Sequence, residues 1–257
     1  MASAPAGLPL FYKDLVPLSS QLHAGWKSRM MESASFFAQT HAVPLTTEEF
    51  ILAQRYYPIV FSDGPSPVPL ALFGLNEGVN VFTDDEGTPK LNIYIPAYVR
   101  RYPFMLAKLN PEAEELSLCF DPTSGAIGEF EEGNDIFEGT EASPWTREIL
   151  QFCENFEQAG LTTAMFVQEL QANKLLIPGE VTIQLTENSQ PFVYRGFQMV
   201  AQERLLELRG DVLRKLMQNG VLPLIHAHLF SMQLIQDVFG MQLQQGKVPE
   251  PVLTIPS

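Results

Sequence analysis

The sequence is poor in cysteine and in basic residues, and each shortage excludes a class of function. Cys119 and Cys153 are the only two cysteines, and neither lies in a Cys-x-x-Cys or Cys-x-x-His motif that would indicate zinc or redox chemistry. They are predicted to be buried thiols of a reducing compartment. The 16 Lys and Arg residues are outnumbered by 30 Asp and Glu residues, so the net charge is −14. No nucleic-acid partner is expected, because binding a phosphate backbone requires an excess of positive charge.

Catalytic and targeting signatures are also missing from the sequence. It contains no Gly-x-Ser-x-Gly elbow, no Gly-x-Gly-x-x-Gly after a predicted strand and no P-loop lysine. Residues 1–15 lack the basic and apolar regions of a cleaved signal peptide, which favours a cytoplasmic location. The longest apolar stretch, residues 221–243, carries polar side chains that are costly in a bilayer, so we predict a buried helix and no membrane span.

The residues that are present predict a folded α+β protein. Hydrophobic residues make up 46% of the chain and charged residues 18%, which is typical of a globular protein. Short apolar runs bounded by turn residues predict strands in residues 1–120, at 59–61, 68–75, 79–82, 91–95 and 116–120. Residues 145–245 show helical periodicity at 145–158, 162–176, 204–217 and 222–243, and a β-hairpin is predicted at 181–185 and 192–197. We predict an antiparallel, strand-rich N-terminal half packed against a helix-rich C-terminal half, as one compact domain overall.

The negative charge is concentrated between these halves. Ten acidic residues and no basic residue lie between Lys108 and Arg147. Within this stretch, residues 121–144 are rich in Gly and Glu and show no clear periodicity, so they are predicted to form an acidic linker or loop. Residues 246–257 carry three prolines and are predicted to form a loosely packed tail.

Several segments together resemble the SapC family, over most of the chain from about residue 17 to about residue 242. They are residues 22–25 (LHAG), 40–45 (THAVPL), 57–61 (YPIVF), 94–104 (YIPAYVRRYPF), 118–121 (LCFD) and 220–231 (GVLPLIHAHLFS). The segment at 94–104 is the most specific of them. The sequence departs from the family at His226, where a small aliphatic residue or a tyrosine is usual. The resemblance implies an accessory role in handling or modifying a protein of the bacterial envelope, since family members are encoded beside surface-layer secretion machinery or TonB-dependent receptors. It identifies no reaction.

One short segment is the candidate binding site. Arg100 and Arg101 lie between Tyr98 and Tyr102 in a chain that has few positive charges. Guanidinium groups framed by phenol rings can bind a carboxylate or phosphate bidentately and stack on the rings, so an acidic peptide could dock there. The structural alternative, which is favoured, is that one arginine forms an ion pair with acidic residues of the middle segment while the tyrosines pack over the sheet.

The histidines are the candidate metal ligands. His226 and His228 point about 200° apart on a helix but to one side of a strand. The predicted helix therefore argues against a shared metal ion. Only a strand would allow the pair to bind iron together with His41 or a carboxylate.

These observations lead to two functional hypotheses. The first is a non-enzymatic accessory protein that binds a protein or peptide during maturation or export of an envelope protein, linked to the surface layer or to TonB receptors. It has no cofactor. The alternative is a metal-dependent oxidative enzyme that modifies a peptide. The absence of catalytic motifs favours the first, and the sequence does not specify an oligomeric state.

Overall fold

The protein has the predicted α+β fold, in a computed structural model that describes residues 7–31, 34–90, 92–110, 112, 115–186 and 189–248. The strands are β1 (Val16–Pro17), β2 (Lys27–Ser28), β3 (Ala42–Pro44), β4 (Ile59–Ser62), β5 (Pro69–Leu72), β6 (Phe104–Ala107), β7 (Ser117–Phe120), β8 (Ile127–Gly128), β9 (Asn134–Asp135), β10 (Phe137–Glu138), β11 (Glu141–Ala142), β12 (Leu176–Ile183) and β13 (Phe192–Val200). The α-helices are α1 (Ser35–Ala38), α2 (Phe50–Ala53), α3 (Ala97–Arg100), α4 (Pro144–Ala172), α5 (Gln202–Leu206), α6 (Gly210–Gln218), α7 (Val221–Ser231) and α8 (Leu234–Gln244). Among the helices described, none is both long enough and apolar enough to cross a membrane.

The largest sheet combines strands from both halves of the chain. Its five antiparallel strands lie in the order β12-β13-β4-β5-β3. The predicted hairpin of the C-terminal half is present as β12 and β13, each longer than expected, and β13 pairs with β4 through Phe197–Ser62 and Gln198–Phe61. Strands β4 and β5 are apolar, and Ile59, Phe61 and Ala71 are fully buried in the main core. The strand-rich half is therefore joined to the C-terminal half by backbone pairing as well as by side-chain packing.

The acidic middle segment contains short strands where the sequence predicted only a linker or loop. Strands β8 and β9 both pair with β2, and β10 pairs with β11. Ile136 is fully buried in a second core, which also contains Phe104, Phe120 and Ile127. Each of these strands is only two residues long. A run that short shows no period-2 alternation, and therefore the sequence pattern did not reveal it.

Helix α4 is continuous over 29 residues, so the prediction of two helices at 145–158 and 162–176 was wrong. The break was expected at Gly160, because glycine lowers helix stability by about 1 kcal/mol relative to alanine. Buried side chains lie on both sides of this glycine: Cys153 packs in the second core and Phe166 in the main core. Packing against two cores offsets the local cost of the glycine.

In the C-terminal part of the chain, two helices that were predicted to be continuous are each divided into two. The predicted helix 204–217 is divided into α5 and α6, and the predicted helix 222–243 is divided into α7 and α8 around Met232 and Gln233. The predicted strands 79–82 and 91–95 are also not formed. An isolated bridge between Thr83 and Pro89 stands in their place, and residue 91 lies outside the described residues.

Two other predictions concern the cysteines and the tail. Cys119 and Cys153 are free and buried, as predicted, and burial raises the pKa of each thiol to about 11. Of the predicted tail, residues 249–257 lie outside the described residues. Within the described part of the tail, the carbonyl of Lys247 accepts a hydrogen bond from the Gln242 side chain at 3.1 Å.

Side chains of helix α7 form hydrogen bonds to the main sheet at the point where the pairing of β4 with β13 ends. The His228 imidazole is fully buried, and its Nδ1 donates to the carbonyl of Ile59 at 2.7 Å. Its Nε2 accepts a hydrogen bond from the backbone N–H of Val200 at 3.1 Å, which fixes the tautomer. Ser231 Oγ accepts from the N–H of Ile59 at 2.9 Å and donates to the carbonyl of His228 at 2.6 Å. Two side chains of α7 thus satisfy backbone groups that would otherwise need a neighbouring strand.

The burial of His228 makes the stability of the fold pH-dependent. Burial disfavours the imidazolium and lowers the pKa from 6.5 to about 4. Between these values the unfolded chain binds a proton that the folded chain excludes, so the free energy of unfolding falls as the pH drops from about 6.5 to about 4. The full effect is about 3 kcal/mol, at 1.36 kcal/mol per pKa unit. Urea unfolding at pH 7.5 and 4.5 should show most of this loss for the wild type and a smaller loss for His228→Gln. An equal loss in the two proteins would contradict the assignment.

Candidate functional site

An apolar groove runs along one face of helix α4. Its volume is about 440 Å³. It is lined by Pro44, Leu45, Thr46, Ser66, Pro67, Val68, Pro69, Tyr98, Phe156, Gly160, Thr163, Ala164, Val167, Gln168 and Gln171. The α4 members recur at intervals of three and four residues, so they form one stripe on the helix surface. From residue 156 to residue 171 this stripe is about 22 Å long, at 1.5 Å per residue.

Gly160 keeps the floor of the groove open one helical turn from Phe156. A Cβ atom placed on this residue would meet no atom within 4 Å outside its own helix, so the glycine does not relieve a clash. In the middle of a helix it costs about 0.5–1 kcal/mol relative to alanine. The effect of the glycine is therefore to leave space on the floor of the groove.

Hydrogen bonds hold the two walls of the groove in place. The N–H of Thr47, which follows wall residue Thr46, donates to Thr163 Oγ1 on α4 at 2.9 Å. At the other end, the Gln171 side chain donates to the carbonyl of Pro65 at 3.0 Å. The opposite wall also contains three of the chain's prolines, and each proline fixes its own backbone φ angle. The groove is therefore formed before any ligand arrives.

Arg101, one of the predicted site residues, is buried at one end of this groove. Its guanidinium lies 4.6 Å from the ring centre of Tyr98 and 4.3 Å from that of Phe156, and both rings line the groove. Arg101 Nη1 is 3.4 Å from Glu157 Oε1, while Nε is buried without a hydrogen-bond partner. The side chain is only 6% exposed. This geometry fits the structural alternative of an ion pair packed among rings, although the partner lies on α4 and not in the acidic middle segment.

The predicted tyrosines are also buried. Tyr98 donates from its hydroxyl to the carbonyl of Leu10 at 3.2 Å, and one side of its ring lines the groove. Tyr102 donates to Asp121 Oδ2 at 3.4 Å, and burial together with this carboxylate raises the pKa of Tyr102 to about 12. Both tyrosines therefore help to hold the scaffold, and Tyr98 in addition contributes surface to the groove.

Arg100 is the exposed member of the predicted site. Its Nε donates to the carbonyl of Ile95 at 3.0 Å and its Nη2 donates to the hydroxyl of Tyr94 at 3.2 Å. The guanidinium also lies 5.2 Å from the ring centre of Phe152, on α4. Tyr94 in turn donates to the buried Glu49 Oε1 at 2.9 Å, and burial together with Glu49 raises the pKa of Tyr94 to about 12.

The structure does not assemble the alternative iron site. His228 uses both ring nitrogens in backbone hydrogen bonds, whereas His226 is exposed and stacks on Phe230 at 5.8 Å. His41 is half-buried and lies just before β3. In the described ranges, no group of three or more His, Cys, Asp or Glu side chains is arranged to hold a metal ion. The prediction that His226 and His228 lie on a helix is confirmed.

The groove itself was not predicted from the sequence. The prediction of a break at Gly160 placed this residue and Ala164 at a helix end, and this concealed the stripe of α4 on which they lie. The available signal was the spacing of four residues between two small residues in an otherwise helical segment. The opposite wall could not be predicted, since it comes from residues 44–46 and 66–69, which are brought to α4 only by the sheet.

Comparison with known proteins identifies a family. The family model described as SapC matches residues 18–238, which is most of the chain. No curated protein and no solved structure gave a significant match.

The two arginines should differ in their effect on stability. We expect Arg101→Ala to lower the free energy of unfolding by about 2 kcal/mol, because it removes a buried side chain from between two aromatic rings. Arg100→Ala should lower it by less than about 1 kcal/mol, because the side chain is exposed. Thermal and urea unfolding of both variants measure the difference, and equal losses would contradict the assignment of Arg101 to the scaffold.

Proposed function

The chain belongs to the SapC family, and we propose that it is a non-enzymatic, cytoplasmic accessory protein that binds a peptide segment of a partner during maturation or export of a bacterial envelope protein. The family's association with surface-layer and TonB-receptor gene clusters supports the cellular setting. The observation that carries the proposal is the preformed apolar groove on α4.

The dimensions and chemistry of the groove suit an extended peptide. A length of about 22 Å accommodates about six or seven residues, at about 3.3 Å per extended residue. The lining is mainly apolar, with amide side chains at Gln168 and Gln171 that can bond to a peptide backbone. Because the walls are already fixed, binding does not require the protein to order a loop, and this reduces the entropic cost of association.

No specific observation favours the alternative, a metal-dependent oxidative enzyme that modifies a peptide. Its proposed ligand set would need His228, whose imidazole holds the sheet together through two backbone hydrogen bonds. Recruiting this residue to a metal would leave buried backbone groups of β4 or β13 unsatisfied, at a cost of about 1–3 kcal/mol each.

Filling the groove should abolish peptide binding without unfolding the protein. Gly160→Leu places a side chain in the space above α4, and no atom outside the helix lies within 4 Å of the new Cβ. The change also removes a glycine from a helix interior, so stability should rise by about 0.5–1 kcal/mol. The probe is a synthetic library of acetylated heptapeptides rich in Pro, Leu, Val and Ala, and its binders are then measured one by one by calorimetry.

The matched control is Gln158→Leu. It adds the same side chain to an exposed position of α4 that does not line the groove. We expect the control to bind the selected peptides as the wild type does, while Gly160→Leu weakens binding at least about tenfold. Unchanged binding by Gly160→Leu, or a library with no binder to the wild type, would contradict the proposed function.

A further inference from the structure

We infer that the groove receives the C-terminal end of its peptide, with the terminal carboxylate bound at Arg100. This inference rests on the proposed function and names the part of the partner that is recognised. It is drawn from the position of Arg100, from the charge around it and from the way its guanidinium is held.

Arg100 lies just beyond one end of the groove. Its guanidinium stacks over Phe152, and Phe156 follows one helical turn later on the same face of α4. Phe156 is the first α4 residue that lines the groove, and it contacts the ring of Tyr98 at 6.2 Å. A peptide that follows the stripe of α4 from residue 171 toward residue 156 therefore reaches Arg100 as it leaves the groove.

At this end of the groove, a strongly acidic protein presents a guanidinium that makes no direct ion pair in the described part of the chain. Within the described ranges, no carboxylate oxygen lies within 4.0 Å of the Arg100 guanidinium, although the chain has a net charge of −14. The hydrogen-bond acceptors of Arg100 are a carbonyl and a phenol, and both are neutral. Arg101, the next residue, adds no unpaired charge, because its buried guanidinium is ion-paired with Glu157 at 3.4 Å.

The buried carboxylate of Glu49 does not occupy the position at Arg100 where a ligand carboxylate would bind. Glu49 lies behind Tyr94 and accepts four hydrogen bonds: two from Thr46, one from Tyr94 and one from the N–H of Ala97. Its lone pairs are therefore satisfied within the scaffold. Arg100 reaches this carboxylate only through the Tyr94 hydroxyl, so the outer edge of the guanidinium stays available.

The guanidinium is held ready for a bidentate contact. Two of its five N–H groups are used within the protein, at Nε and Nη2, and the aromatic rings of Tyr94 and Phe152 flank it at 5.7 and 5.2 Å. The remaining N–H groups on Nη1 and Nη2 match the two oxygens of a carboxylate. Holding an arginine side chain in advance reduces the entropy that is lost on binding.

A chain terminus suits this position better than an acidic side chain within a peptide. The apolar lining ends at Phe156, and the charge follows outside it, which matches apolar residues that end in one carboxylate. A peptide with several acidic residues would be repelled by the net charge of −14. A terminal carboxylate supplies a single negative charge at a guanidinium whose own hydrogen-bond acceptors are neutral.

The test uses the same heptapeptide library, synthesised both as free acids and as C-terminal amides. For wild-type protein, each selected free acid should bind at least about tenfold more tightly than its amide. Arg100→Gln should weaken binding of the free acids by a similar factor and leave binding of the amides unchanged, so the variant no longer distinguishes the two forms. Arg214→Gln is the matched control, because it makes the same charge change at an exposed arginine that does not line the groove.

The outcomes separate this inference from the proposed function. If acids and amides bind equally and Gly160→Leu still abolishes both, the groove binds peptides and the carboxylate assignment is overturned. If binding depends instead on replacing an internal Glu by Gln, the assignment to the terminus is likewise overturned. If neither form binds, both proposals fail. Equal effects of Arg100→Gln and Arg214→Gln would show a general charge effect and would also overturn the assignment.

Discussion

The structure depends on the hydrogen bonds by which helix α7 completes the main sheet. Strands β4 and β13 pair over only two residues, and beyond them His228 and Ser231 bond to backbone groups of Ile59 and Val200. These groups are buried, so each unmade bond would cost about 1–3 kcal/mol. The bonds link the C-terminal helices to a strand of the N-terminal half. They also fix β4, which leads directly into the loop that forms one wall of the groove.

The groove is a product of this sheet and of the length of α4. The sheet brings residues 44–46 and 66–69 to one side, and α4, a helix that packs on both hydrophobic cores, supplies the other side as a continuous stripe. Gly160 leaves the stripe open one helical turn from Phe156, and the aromatic residues at positions 152 and 156 contact two arginines at its end. An apolar binding surface and the exposed Arg100 guanidinium therefore meet at one place on an acidic protein.

Local features of the fold could be predicted from the sequence. The apolar runs of β4 and β5, the hairpin β12–β13 and the helical setting of His226 and His228 were all found by periodicity and turn residues. Features that depend on tertiary packing could not be predicted from the sequence. The continuity of α4 through Gly160 comes from burial in two cores, and the burial of Arg101 comes in part from the ring of Phe156 on a helix distant in sequence. For the same reason, the arginine pair was identified from composition, while the different environments of Arg100 and Arg101 became visible only in the structure.

The most direct test of the groove as the peptide-binding site is to locate a bound peptide on the protein by NMR. The amide of Gly160 and the methyl groups of Ala164 and Val167 report on the floor of the groove, and Phe230 on α7 marks an exposed surface elsewhere. On titration with a selected heptapeptide, we expect chemical-shift changes concentrated on these three α4 residues and on the facing wall, with little change at Phe230. Changes that cluster around Phe230, or that are spread evenly over the surface, would contradict the assignment of the groove as the binding site.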